Sequence, residues 1–305
     1  MNAGFSFLFD DKHLRQDDSM TINDLKYKID KVKAYARVLV QKYGHTIKSA
    51  KHIVALAIKQ LQQLPTDVKL IEFLTKDPIG KEIGYDRGPD PTIFSKVRER
   101  MDPEIIAEII TAITVMEYKD TVIDKIVQDS TDADAYSRKD EDAKWGKRTV
   151  PKKRQSVKKE DIEDFFGYKL HMIADADREI PLSIGIISGN RNDKIMFPLL
   201  FGETKRNFRL KLGAKFLADA QYHSTKIREE LRYSGLEALI PFSGTKNRKT
   251  ENPKDPDYGK RWSIEHIFSR LKEMFNLNKI RSVGLKRVKI HIFSCVLAYL
   301  MEYLL

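Results

Sequence analysis

Residues 258–272 read Tyr258-Gly-Lys-Arg261-Trp-Ser-Ile-Glu265-His-Ile-Phe-Ser-Arg-Leu-Lys272. This spacing predicts an amphipathic helix, because at about 100° per residue Glu265 and Lys272 lie only about 40° and 20° from Arg261. Tyr258 joins the same stripe if the helix has already begun there. The other face is apolar and is expected to pack against a core; its members are Ile264, Ile267, Phe268, Leu271, Met274 and Phe275. The pattern therefore holds one carboxylate outward, beside a phenol and two cations, on a helix with a buried face.

The simplest alternative is an ordinary surface ion pair between Arg261 and Glu265. Residues four apart on a helix do meet, but such pairs contribute only about 0.2–0.5 kcal/mol, and the favourable order places the acid before the base. Here the arginine comes first, and Lys272 gains nothing from the pair. From this stripe alone, a solvated helix face remains an alternative to a functional site. The other motifs of the chain are needed to choose between the two.

The stripe has the spacing tyrosine, two residues, arginine, three residues, glutamate, six residues, lysine. This spacing resembles the signature of the DDE transposases encoded by bacterial and archaeal insertion sequences. The resemblance implies an RNase H-like fold over roughly Val122–Leu305, in which Glu265 is the third metal-binding carboxylate. It also implies two catalytic aspartates upstream, and contacts to the DNA backbone made by Tyr258, Arg261 and Lys272.

The second acid of that set is predicted to be Asp219, at the end of the short apolar run Lys215-Phe-Leu-Ala-Asp219. A strand that ends there presents Asp219 at its carboxyl edge, where open α/β sheets bind ligands. Many members of the family carry glycine where this chain has Gln221. Capping of the following helix is the alternative role, but Ser224 lies closer to that helix and is expected to cap it.

The first acid is predicted to be Asp129, within the strand-like segment Thr121–Thr131. Its Asp-Ser-Thr context resembles the first-acid motif of the family, and in a strand of period two it lies on the face of Val127. Asp124 stays open as the alternative. Asp132 and Asp134 are interpreted as loop acids.

Asp193 offers a further acid, in the stretch Gly189-Asn-Arg-Asn192-Asp193. A helix is predicted directly after it, over Lys194–Phe201. Asn192 or Asp193 is expected to cap that helix, and capping explains Asp193 more simply than catalysis does.

Three carboxylates suit phosphodiester chemistry. Two divalent ions about 3.5–4 Å apart can stabilise both the attacking and the leaving oxygen of an in-line displacement, and Mg²⁺ prefers oxygen ligands. The resemblance therefore implies two Mg²⁺ ions, with Mn²⁺ as a substitute, on Asp129, Asp219 and Glu265. A zinc site is not indicated, because Cys295 is the only cysteine and the histidines lack zinc-type spacing.

The charge balance favours a nucleic-acid partner. The chain carries 55 Lys and Arg against 44 Asp and Glu, a formal net charge of +11, and basic surfaces attract phosphate. The densest stretch, Lys144–Lys159, holds eight Lys or Arg and no acid. It is expected either to be a solvated loop or, beside the site, to contact DNA through Lys152, Lys153 and Arg154.

The chain changes character near residue 119. Segments such as Ile22–Tyr43 and Ile47–Leu64 have the apolar spacing of helices, whereas strand-like and helix-like segments alternate later. We therefore expect an all-α domain over residues 1–118. An α/β catalytic domain is expected over residues 119–305, with a mixed five-stranded sheet flanked by helices.

The helical domain has two open roles. Short helices around the turn at Gly88–Pro91 carry Lys96, Arg98 and Arg100, which would suit a helix-turn-helix that reads DNA. A small bundle for dimer contacts is the alternative. The resemblance favours DNA, since in the family an N-terminal helical region recognises the terminal inverted repeats.

Membrane and secreted proteins are not indicated. The longest apolar stretch, Ile290–Leu305, has 16 residues, short of the roughly 20 needed to cross a bilayer. Met1–Asp10 lacks the basic start of a signal peptide, and a single cysteine favours a reducing cytoplasm.

Together these inferences predict a DNA transposase of an insertion sequence, a metal-dependent enzyme that cleaves at the element ends and transfers the 3′-hydroxyl into target DNA. Its partners would be double-stranded DNA, both inverted repeats and target, and further copies of itself in a synaptic complex near the prokaryotic nucleoid. Two alternatives stay open. One is a non-catalytic or decayed DNA-binding protein with the same fold, and the other is a structure-specific RNase H-like nuclease.

Overall fold

Residues 22–150, 161–242 and 252–305 are described by a computed structural model. The part of the chain before the sheet is helical in these residues. Its helices are α1 (Ile22–Lys42), α2 (Ala50–Leu61), α3 (Asp67–Lys76), α4 (Pro78–Ile83), α5 (Ile93–Arg100) and α6 (Glu104–Glu117). Local chemistry fixes several of their ends: Thr66 accepts the backbone N–H of Lys69 at the start of α3, and Gly84, at φ 110°, ends α4 in the left-handed region.

Strands and helices alternate in the rest of the described chain. The elements are β1 (Val122–Asp134), β2 (Lys144–Val150), β3 (Asp161–Asp175), β4 (Ile180–Ser188), α7 (Phe197–Asn207), β5 (Arg209–Leu217), α8 (Thr225–Tyr233), β6 (Glu237–Leu239), α9 (Trp262–Glu273) and α10 (Leu285–Tyr303). Short 3₁₀ turns precede α7, α8 and α9.

One mixed sheet joins the described strands. Along it the order is β4, β3, β1, β5, β6; β3 is antiparallel to β1 and β4, whereas β5 is parallel to β1 and β6. β2 pairs with the first half of β3 up to Gly167, and β4 pairs with β3 from Tyr168 onward. β2 and β4 therefore follow one another along the same edge of β3.

The prediction of a mixed α/β sheet flanked by helices is confirmed, but the predicted strand number is wrong. The described sheet has six strands rather than five, because Lys144–Val150, which was expected in a solvated loop, forms β2. Trp145 packs on Phe166 of β3, with ring centroids 5.5 Å apart. Gly146 allows the close approach, since a Cβ there would lie 2.4 Å from the carbonyl oxygen of Gly189.

α10 lies at the centre of the hydrophobic core. It packs against α2, α5, α6, α9 and β4, and Cys295 is buried within it as predicted. The side chains of Gln60 and Asn276 add a hydrogen bond of 3.4 Å between α2 and the segment before α10. Helices and sheet thus share one core, and the division at residue 118 stays a prediction.

Among the described helices, none combines the length and apolar character needed to cross a membrane.

Arg98, expected as a DNA contact on α5, points inward instead. Its guanidinium donates two hydrogen bonds to the carboxylate of Asp67, at 2.5 and 2.8 Å, and its side chain is only 12% exposed. The other two cations of that helix, Lys96 and Arg100, line a neighbouring cavity.

Candidate active site

Asp129 and Asp219 lie side by side in the sheet, at the level where β5 ends. Val127 of β1 pairs with Leu217 of β5 in parallel register, and each aspartate lies two residues beyond its paired residue. The carboxylate of Asp129 accepts the backbone N–H of Ser130 at 2.7 Å. Asp124, the alternative first acid, is exposed and pairs with Lys211 at 2.9 Å, near the start of β5.

Asp219 also has the capping role that was weighed against it. Its carboxylate accepts the backbone N–H of Gln221 at 2.9 Å and so caps the short turn Ala220–Tyr222. Ser224, the expected cap of α8, makes no side-chain capping hydrogen bond. A carboxylate that caps this turn can still make further contacts, because it has two oxygens and about four acceptor positions.

Glu265 is brought to the same place by α9. Ile264, Ile267, Phe268 and Leu271 are buried as predicted, so the opposite face of α9 is directed toward the edge of β1. The predicted helix begins later than expected: Tyr258 and Arg261 belong to the 3₁₀ turn Pro256–Arg261, and α9 starts at Trp262.

The three acids line one cavity of about 640 Å³. Its other lining residues are Ser130, Thr131, Asp132, Lys147, Arg148, Phe165, Lys169, Asp193, Gln221, Arg261, Trp262 and Lys272. Tyr258 is half-buried behind this surface and is absent from the lining. Lys152, Lys153 and Arg154 lie outside the described residues.

Burial and neighbouring carboxylates raise the proton affinity of Asp129. Burial, and then the neighbouring Asp219 and Glu265, raise the pKa of Asp129 to about 8. Burial also raises the pKa of Asp219. The ionised form of Asp129 is therefore disfavoured in this arrangement, and an added cation beside it would favour ionisation.

Arg261 lies between two of the acids. Its Nη1 is 3.3 Å from Oε1 of Glu265 and 3.6 Å from Oδ2 of Asp129. It therefore makes the i to i+4 pair considered from the sequence, but it also contacts a second carboxylate from β1. Within residues 22–150, 161–242 and 252–305, no three His, Cys, Asp or Glu side chains are arranged to hold a metal ion. The guanidinium provides the compensating positive charge in this arrangement.

Lys272 and Arg148 extend the positive charge along the cavity. Nζ of Lys272 lies 3.6 Å from Oδ1 of Asp132, and Arg148 of β2 donates to Asp132 at 3.0 Å and also pairs with Asp134. Both Asp132 and Asp134 belong to β1, so the interpretation of these two residues as loop acids is wrong. The physical reason is that β3 continues to pair with β1 as far as Asp134.

Lys169 and Asp193 also line the cavity. Lys169 was not identified from the sequence, and Asp193 was interpreted there as a helix cap. Asn192 alone caps the turn before α7, by accepting the N–H of Lys194. Asp193 is instead buried and accepts a hydrogen bond of 2.7 Å from Lys169 on β3. The available signal was Lys169 itself, since a charged residue inside an otherwise apolar strand needs a partner.

Residues 120–301 match the model of a family described as "Transposase DDE domain". Among solved structures, the chain is similar to a piggyBac transposase in a synaptic complex with hairpin DNA, determined by cryo-EM, with a TM-score of 0.40 and 9% identity over 90% of this chain and 72% of that chain. No curated protein matches the sequence. The family match runs from just before β1 into α10 and includes every described residue of the cavity.

Proposed function

Because the chain belongs to the transposase DDE domain family, we propose that it cleaves DNA at the ends of an insertion sequence and transfers the resulting 3′-hydroxyl into target DNA. The observation that carries this proposal is the single cavity at which Asp129, Asp219 and Glu265 meet. These residues come from β1, from the end of β5 and from α9, and nothing in a purely structural role requires three acids to converge.

The strand order supports an RNase H-like assignment for the sheet. Five of the described strands lie in the order β4, β3, β1, β5, β6, and among these five β3 alone runs opposite to the other four. Asp129 of β1 and Asp219, just after β5, lie beside the carboxyl end of β5, at the side of the sheet where α/β proteins bind their ligands. β2 is an addition to that pattern, and it contributes Lys147 and Arg148 to the cavity.

The donor chemistry of the cavity fits a small divalent cation. Carboxylate oxygens are the ligands that Mg²⁺ prefers, and added positive charge would offset the burial and the neighbouring carboxylates that raise the pKa of Asp129 to about 8. Asp129, Asp219 and Glu265 would hold two Mg²⁺ ions, or Mn²⁺ in their place, once Arg261 withdraws. When bound, such ions activate water or a 3′-hydroxyl and stabilise the leaving oxygen.

The chain's own residues would bind and orient the scissile phosphate. Arg261, released from its two carboxylates, presents the planar fork that binds phosphate with two parallel hydrogen bonds. Lys272 adds a second cation along the same wall. Burial raises the pKa of Tyr258, so its phenol stays protonated and is able to donate a hydrogen bond.

Glu265→Gln tests the proposal. The variant keeps the shape of the side chain and loses its charge, so Mg²⁺-dependent nicking and joining of DNA from the flanks of its own gene should fall to background while DNA binding is retained. Glu273→Gln on the same helix is the matched control, because Glu273 is exposed and its carboxylate accepts only from Ser269 among the described residues. Mg²⁺-dependent cleavage by Glu265→Gln would remove the catalytic assignment.

The same assay separates the alternatives. Nicking without joining by the unmodified protein would favour a structure-specific nuclease, and binding without either would favour a non-catalytic DNA-binding protein. A requirement for two DNA ends in one reaction would support a homo-oligomer in the synaptic complex.

The basic stretch after β2 is proposed to contact DNA that flanks the cut. Lys147 and Arg148 carry its first cations into the cavity, and Lys152, Lys153 and Arg154 follow within a few residues. Replacing these three residues by glutamate should lower DNA affinity and make log K less dependent on log salt. An unaltered salt dependence would refute the contact.

A further inference from the structure

Another cavity lies between the N-terminal helices and the region around the start of α10. It has a volume of about 180 Å³. The end of α2, the start of α3, one face of α5 and the segment before α10 form its walls. Its lining residues are Lys59, Thr66, Asp67, Val68, Arg98, Lys279, Arg281, Ser282 and His291, and none of them lines the candidate active site.

The interior of this cavity holds more positive than negative charge. Asp67 is the only acid in the lining, and its carboxylate accepts hydrogen bonds from Lys59 at 2.8 Å and from both Nη atoms of Arg98. A buried lysine and a largely buried arginine therefore share one carboxylate. The pKa of Lys59 is lowered because burial outweighs the attraction of Asp67, which indicates incomplete compensation.

Hydrogen-bond donors are also left over. Lys59 is only 8% exposed, and of its three N–H donors one is directed at Asp67, with no second acceptor among the described residues. At the rim, Lys279 and Arg281 are exposed, and their side chains make no hydrogen bond or ion pair to the part of the chain that the structure describes. His291 adds no charge, because burial lowers its pKa to about 4.

A purely structural ion pair between α3 and its neighbours does not account for this arrangement. One cation would satisfy Asp67, and each further buried charge costs several kcal/mol unless a counter-charge is present. The missing component is an anion with several acceptor oxygens, small enough for a narrow cavity. A phosphate group has this charge and this geometry.

We propose that the cavity binds a phosphate group, with Lys59 and Arg98 at its base and Lys279 and Arg281 at its rim. The group is either a backbone phosphate of DNA or inorganic phosphate. The DNA source rests on the function proposed above, whereas binding of inorganic phosphate does not. In either case the ligand joins the N-terminal helices to the segment that precedes α10.

The first arm of the test uses inorganic phosphate and the double variant Lys279→Gln/Arg281→Gln. Both residues are exposed, so the variant is expected to fold. Phosphate should raise the melting temperature of the unmodified protein relative to chloride at equal ionic strength, and the variant should bind phosphate about tenfold more weakly or worse. Arg209→Gln/Lys226→Gln, which removes two exposed cations elsewhere, should respond like the unmodified protein.

The second arm uses duplex DNA and identifies the source. If the phosphate belongs to DNA, the rim variant should lose about 0.9 from the slope of log K against log salt for each contact removed, and the control variant should not. A phosphate response with an unaltered slope assigns the site to free phosphate. No phosphate response in the unmodified protein, together with equal slopes for the rim and control variants, overturns the proposal. Loss of cleavage in Glu265→Gln does not enter either outcome, so the two proposals fail separately.

Discussion

Replacing Asp129 with asparagine should stabilise the metal-free protein at alkaline pH. The folded state holds the pKa of Asp129 at about 8, against an ordinary value of 3.8, so between these limits it keeps a proton that the unfolded chain has lost. The contribution of Asp129 to stability is therefore complete below pH 3.8 and is lost as the pH rises toward about 8. Asparagine does not titrate, and the variant escapes this loss.

The size of the effect follows from the displacement of the pKa. Each unit corresponds to about 1.4 kcal/mol, so the whole displacement sets an upper limit of about 6 kcal/mol. The side chain is 17% exposed and Arg261 lies 3.6 Å away, and both reduce the cost of the charged form. We expect the stability advantage of Asp129→Asn to grow by about 2–3 kcal/mol between about pH 5 and pH 8.5.

Urea denaturation in a chelating buffer at the two pH values measures this difference. Asp124→Asn is the matched control: Asp124 lies on the same strand but is exposed and paired with Lys211, so its effect should not grow with pH in this window. Saturating Mg²⁺ should then stabilise the unmodified protein at alkaline pH and leave Asp129→Asn unaffected. An advantage of Asp129→Asn that is the same at both pH values would refute the raised pKa of Asp129.

Three further outcomes are expected. Arg261→Met should raise the Mg²⁺ affinity by roughly tenfold, because a cation close to two of the acids is removed, and it should also slow DNA cleavage. Calorimetric titration measures the affinity and a nicking assay measures the cleavage. An unchanged Mg²⁺ affinity would contradict the role given to the guanidinium. Asp67→Asn should lower the free energy of unfolding by about 2–3 kcal/mol, since Lys59 and Arg98 lose their counter-charge. Glu72→Gln, at an exposed side chain, should leave the chemical denaturation curve unchanged. Equal denaturation curves for the two variants would argue against a buried ion cluster. Leu271→Ala, at a fully buried position of α9, should cost about 2–5 kcal/mol, and a smaller loss in thermal or urea unfolding would mean that α9 is not held by its apolar face.

Periodicity made several elements predictable. The apolar face of α9 follows from spacing alone, and the same spacing placed Glu265 on the opposite face. β5 and β6 are parallel, as the helix α8 between them favours. The parallel pairing of β1 with β5, which accounts for the meeting of Asp129 and Asp219, joins strands separated in the chain by β2, β3, β4 and α7 and did not follow from local spacing. The predictable features depend on short segments whose side chains repeat with the period of a helix or a strand.

Other features depend on contacts between distant segments and left little trace in local sequence. β2 exists because Trp145 and Gly146 fit against β3 and Gly189, which no count of charges in Lys144–Val150 would reveal. Asp193 has the sequence context of a helix cap, and only its buried contact with Lys169 of β3 shows otherwise. Arg261 was assigned to a helix surface, and its position beside Asp129 depends on how α9 packs against β1.

The packing of α10 against α2 has a consequence for biosynthesis. Gln60 and Asn276, which join these regions, are 216 residues apart in the chain, so α2 leaves the ribosome long before the helix that covers it has been translated. During that interval its apolar side chains are open to chaperones or to other nascent chains. The protein can complete its core only after α10 has emerged.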